Sequence, residues 1–128
     1  MFRILVVLSI PVLVLVVIAG NAALNVPPNT FHAAQVIVLE DLRFTPNRID
    51  ARVVVPITVT LRNAGTQPHD LNFPSIHMPG LAGVESILQP GESRTVTLEF
   101  DEPGTHVFAC TLPGHAAAGM TGAVYVKS

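Results

Sequence analysis

Two regimes of hydrophobic patterning divide this chain. From Ile4 to Ala19 the apolar positions form a nearly continuous run, broken only by Ser9 and Pro11. From Ala33 onward they come in short runs rich in Val, Ile, Thr and Phe, separated by Pro and Gly and without a helical stripe. Such punctuation belongs to a sandwich or barrel. AAQVIVLE (33–40) and ARVVVPITVTLRN (51–63) predict the first long strands, with Pro56 marking an edge or a bulge. After a turn at Pro90-Gly91, Thr95, Thr97 and Glu99 alternate with Val96, Leu98 and Phe100, which predicts a half-buried strand. DEPGTHVFAC turns at Pro103-Gly104 and puts His106, Phe108 and Cys110 on one inward face, because side chains alternate along a strand. TGAVYVKS closes the pattern with Val124 and Val126 together. The expected fold is all-β, an antiparallel Greek-key β-sandwich of about seven or eight strands. RNAGTQPHDLNFP and SIHMPGLAGVES read as loops around short pairing segments.

The leading run is a different object. Arg3, an apolar middle and the small residues around Gly20-Asn21-Ala22 suit a secretory signal. Carried through Leu24, the run is about 20 mostly apolar residues, enough to cross a bilayer as one helix, with Arg3 holding the short end in the cytoplasm. Residues 1–24 are therefore expected to form an apolar helix that acts as signal peptide or N-terminal membrane anchor. Residues 25–32, with Pro27 and Pro28, form a stem, and 33–128 a single domain. Either form of the leader places the domain outside the cytoplasm, periplasmic or on the outer face of the cytoplasmic membrane. A retained helix adds membrane contact.

Charge adds an exclusion. Nine acidic residues face seven basic ones, Arg3 among the latter, with no basic run, so nucleic acid is not an expected partner. Cysteine usage adds a question. An exported domain normally pairs its cysteines, and this chain has one, Cys110. That leaves an intermolecular bridge, a reactive thiol or a metal ligand.

Cys110 opens the segment CTLPGHAAAGM, with His115 and Met120 at equal spacings behind it. A loop leaving one strand at Cys110 and entering another near Thr121 can curl these three side chains around one point, and Pro113, Gly114 and Gly119 supply the turns. Thiolate, imidazole and thioether make a soft donor set that suits copper. Zinc gains little from a thioether and usually takes four Cys, His or carboxylate ligands. The bland alternatives are an inert buried thiol and a methionine that merely fills the core. As a metal set the three are one ligand short.

Together with the upstream NAGTQPHD, this segment resembles the cupredoxins, the small blue copper proteins of the plastocyanin and azurin kind. The resemblance covers Ala33 to Lys127. CTLPGH is most similar to azurin and auracyanin, NAG…PH, LQPGES and PGTHVFAC to plastocyanin, and the gap before Met120 to rusticyanin's loop. It implies one type 1 copper ion with His69, Cys110 and His115 as strong equatorial ligands and Met120 as a long axial one. It also implies a monomeric electron-transfer protein, not an enzyme, cycling between Cu(II) and Cu(I). Redox donor and acceptor are expected to dock transiently near His115, where Leu112, Pro113, Gly114 and Ala116 to Ala118 offer a small apolar patch.

One position departs from the family. Where relatives often carry Asn after the first His, tying the two ligand loops together, this chain has Asp70. A carboxylate there favours Cu(II) and lowers the potential unless it is protonated or hydrogen-bonded elsewhere. His106 is read as structural, His77 and Met78 as a loop pair within reach of the same pole, and His32 as part of the stem. A Cys–His hydrolase would leave the thioether unexplained. A copper oxidase would need further His pairs, and a dinuclear site a second cysteine, and the chain has neither. The remaining rival is an extracytoplasmic copper carrier or sensor that holds the metal without cycling it.

Overall fold

The computed structural model describes residues 34–128. The expectations for the apolar helix of 1–24 and for the stem lie outside the described residues. Among the described residues no helix is long and apolar enough to cross a membrane.

Seven strands are present there: β1 (Gln35–Glu40), β2 (Arg43–Thr45), β3 (Arg48–Arg52), β4 (Ile57–Asn63), β5 (Ser93–Leu98), β6 (Gly104–Ala109) and β7 (Thr121–Lys127). They form two sheets, β2-β1-β4-β5 and β3-β7-β6. Alternation decides what faces inward. Ile57, Val59 and Leu61 of β4 are buried between exposed Thr58 and half-buried Thr60, and Val96 and Leu98 of β5 repeat the pattern as expected. From the other sheet Ile49, Ala51, Phe108, Val124 and Val126 meet them in one core. Phe108 lies at its centre, edge-on to Phe44 at 5.1 Å and to Phe73 at 5.9 Å between ring centroids. Edge-to-face contact adds to what area burial alone gives such rings.

The sandwich is not purely antiparallel. β1 runs parallel to β4, with Gln35 opposite Val59, and β3 runs parallel to β7, with Arg48 opposite Ala123. The reason is the route of the chain. After the β1–β2 hairpin the chain passes to the second sheet as β3 before returning as β4, and a crossover of this kind delivers a strand in the same direction as its neighbour. The expected single strand over 51–63 is accordingly two. Arg52 ends β3, Val53–Val55 turn with Val54 at φ 50°, and Pro56 precedes β4 where no ladder donor is required. Backbone bonds from Val53 N–H to the Lys127 carbonyl (2.9 Å) and from Val54 N–H to that of Phe100 (2.9 Å) hold this switch between the sheets.

Candidate metal centre

Cys110 directly follows β6, and the antiparallel ladder of β6 with β7 carries its backbone to one pole of the sandwich. The ladder closes beneath the intervening loop through Cys110 N–H to the Met120 carbonyl, 3.1 Å. The loop is a compact coil: His115 N–H donates to Leu112 O, Ala118 N–H to Gly114 O and Met120 N–H to His115 O, at 3.0–3.1 Å. Gly119, at φ 103°, takes a backbone conformation closed to most side chains, and it lets Met120 return inward to full burial. Cys110 is also fully buried, while His115 is half-buried.

The second approach comes from the other sheet. Beyond β4 the chain loops through Ala64–Pro68, and His69 pairs with Leu88 by two backbone bonds of 3.1 and 2.8 Å. Asn63, 1% exposed, shapes this loop from within. Its side-chain amide donates to the carbonyls of Gln67 (2.8 Å) and Leu88 (2.9 Å), and its side-chain oxygen accepts from Gly65 N–H (2.9 Å). Asn72 then pairs by backbone with Ala109, drawing the segment after His69 alongside the end of β6.

The two approaches converge. One ligating atom each of His69, Cys110 and His115 lies within 4.8 Å of the others, the one such group of His, Cys or acidic residues among the described residues. His69 Nδ1 stands 3.2 Å from His115 Nδ1, and His115 Nδ1 stands 3.3 Å from Cys110 Sγ. Met120 is tied by its backbone to both Cys110 and His115. One sulfur and two imidazole nitrogens at this spacing, walled off from water on the His69 side, match the soft nitrogen and sulfur shell that copper prefers.

Electrostatics work against a free thiolate. Burial pushes the Cys110 thiol up, and the charge of Asp70 adds to this, while backbone N–H groups of Asp70 and Leu112 directed at the sulfur oppose it. Without a cation the thiol keeps its proton. Cys110 would give up that proton on binding a metal ion, since a coordinating thiol is deprotonated outright.

Asp70 serves the role expected of an Asn there. It is 1% exposed, accepts the Thr111 amide at 2.6 Å and also the Thr111 hydroxyl, and has the Ser86 hydroxyl within 3.5 Å, so it joins the two ligand-bearing segments. Asp41 was not legible as a participant. It lies in the β1–β2 turn, with Oδ1 3.0 Å from His69 Nε2. Hydrogen bonds from the Thr66 hydroxyl first, then from His69 and the Thr66 amide, hold its carboxyl at about 2.

The remaining candidates lie elsewhere. His77 and Met78 line a cavity of about 220 Å³ with Phe100, His106 and the acids of the β5–β6 turn. That turn leads into the start of β6, and a strand rise of about 3.3 Å per residue puts His106 roughly 13 Å from Cys110 along the strand. His106 is structural, as expected, its ring 4.9 Å from that of Phe100 and its Nε2–H donating to the Glu102 carbonyl.

Comparison with known proteins bears on the same fold and site. The chain is 29% identical over 108 residues to Auracyanin-B of Chloroflexus aurantiacus, covering 84% of this chain and 46% of the relative, so it spans under half of that protein. Its fold is similar to that of dithionite-reduced auracyanin from Roseiflexus castenholzii, with TM-score 0.62 and 24% identity over 76% of this chain and 98% of the other. A blue copper oxidase from Nitrosomonas europaea shares the fold at TM-score 0.63 and 18% identity, over 73% of this chain but 38% of the oxidase. A family profile described as a cupredoxin-like domain matches residues 8–121, and the chain is a member of the cupredoxin family.

Proposed function

We propose that this chain is a mononuclear type 1 blue copper electron-transfer protein that shuttles single electrons between redox partners. His69, Cys110, His115 and Met120 would hold the ion. When bound, copper supplies the one-electron Cu(II)/Cu(I) couple. The observation that carries this reading is the convergence within 4.8 Å of three donors delivered by two different sheets.

The chain's own part is to keep the donors still. Cu(II) and Cu(I) prefer different geometries, so a site that cannot follow either preference lets an electron move with little rearrangement of nuclei. Three supports act here: the β6–β7 ladder under Cys110 and Met120, the His69–Leu88 bridge, and the Asp70–Thr111 link between segments. Half-buried His115 is set among exposed Pro113, Gly114 and Ala116 to Ala118, and this face is where donor and acceptor would dock. Such a face is small and free of charged side chains, which suits short-lived contact.

No enzymatic step is assigned to the chain. The apolar run from Ile4 to Ala19 supports an extracytoplasmic location. A redox titration of the copper-loaded protein tests the reading. Reversible uptake of one electron per chain, with the visible band bleaching and returning, is expected. Copper that stays reduced on exposure to oxidant would instead identify a carrier or sensor.

A further inference from the structure

We propose that Asp41 is a positioning residue for His69: its carboxylate fixes the imidazole with Nε2–H turned outward and the Nδ1 lone pair turned to the metal site. The role rests on the copper reading above only in what it does to the bound ion. Its geometric part belongs to the chain alone.

His69 is 0% exposed, so both ring nitrogens need partners within the protein. A neutral imidazole has one N–H and one lone pair. Nε2 lies 3.0 Å from Asp41 Oδ1, and a carboxylate can only accept, so the proton belongs on Nε2. Nδ1 is then left as a lone pair, facing His115 and the cluster.

Asp41 is in turn held on its far side. Thr66 donates to it twice, through its amide to Oδ1 at 2.9 Å and through its hydroxyl to Oδ2 at 2.7 Å. The turn carrying Asp41 is brought to the ligand loop by the parallel β1–β4 pairing, extended by Ala64 N–H to the Leu39 carbonyl at 2.9 Å. Gly65 supplies an independent observation. A Cβ at this position would overlap Asp41 Oδ1 and stand 2.9 Å from His69 Nε2, so only glycine leaves the carboxylate and the ring in contact. Three residues from two segments are therefore shaped around one hydrogen bond to the outer nitrogen of a candidate ligand. Partners of this kind set ring orientation and raise ligand basicity, and their loss typically costs about 10–100-fold in metal affinity. Greater basicity and a nearby negative charge both favour Cu(II), so Asp41 holds the potential down.

The test uses full-length protein and two readouts. Nitrogen-15 NMR of the metal-free protein is expected to show His69 as the Nε2–H tautomer with a slowly exchanging ring proton. Asp41→Ala and Gly65→Ala should each abolish that protection. In copper-loaded protein, Asp41→Asn, which keeps the shape of the side chain, should raise the midpoint potential and weaken Cu(II) binding by roughly tenfold or more in competition with a chelator. The Nδ1–H tautomer in the wild type would overturn the proposal, as would a folded Asp41→Asn protein with unchanged potential and affinity. The NMR readout needs no metal, so it stands or falls independently of the electron-transfer reading.

Discussion

His69 Nδ1 and His115 Nδ1 stand 3.2 Å apart, though one residue lies beyond β4 and the other in the β6–β7 loop, 46 positions apart in the chain. Two ring nitrogens this close must share a proton or a cation. Beside them Cys110 Sγ, 3.3 Å from His115 Nδ1, supplies the sulfur.

Cys110→Ser replaces the sulfur by an oxygen of nearly the same shape at a fully buried position. The expected result is loss of any intense visible absorption with Cu(II), while far-ultraviolet circular dichroism stays that of the wild-type sheet fold. Retention of the band would show that the thiolate is not its source.

Met120→Leu conserves volume in a fully buried place, so stability should fall by less than about 1.5 kcal/mol. The copper protein should keep its colour, and its potential should rise, because apolar surroundings disfavour the more highly charged ion. Denaturant unfolding and voltammetry check the two halves.

Asp70→Asn should raise the potential by removing a buried carboxylate beside the thiolate, whose hydrogen bonds from Thr111 offset only part of its charge, while leaving an oxygen to accept the Thr111 amide. Asp70→Ala removes that acceptor as well and strands a part-buried N–H, at a cost of about 1–3 kcal/mol. Spectroelectrochemistry showing no change or a fall for Asp70→Asn would contradict the first expectation.

Glu40 gives the acid limb of stability a defined source. The Arg43 side chain above all, 2.5 Å away, and then the Thr45 hydroxyl lower its carboxyl from 4.5 to about 2. A carboxyl depressed by folding contributes stability that is complete above its unfolded pKa and is lost as pH falls through the folded one. The expected outcome is stability declining between about pH 4.5 and pH 2, with a shallower decline in Glu40→Gln, measured by urea unfolding across that range.

Phe108→Ala empties the middle of the core, where the ring meets Phe44 and Phe73. A loss of about 3–5 kcal/mol is expected in urea unfolding.

Local signals in the sequence carried most of this. Alternation at Thr95–Phe100 and at His106–Cys110 identified the inward faces, because a strand period of two is visible in a single segment. Equal spacing of Cys110, His115 and Met120 marked the loop that the structure shows coiled at one pole. What stayed hidden was non-local. Parallel pairing of β1 with β4 depends on where the chain goes in between, and the break at Val53–Val55 depends on a change of sheet that Val-rich residues do not announce. Asp41 and Asn63 look like ordinary loop polar residues until the β1–β2 turn and the 64–68 loop are placed side by side.

The central claim is tested most directly by the visible spectrum of the full-length protein given one equivalent of Cu(II). An intense charge-transfer band from thiolate to copper, giving a blue or green solution that bleaches on reduction, is the result this account predicts. Copper bound one-to-one in a folded protein that shows only the weak absorption of ordinary cupric complexes would contradict it.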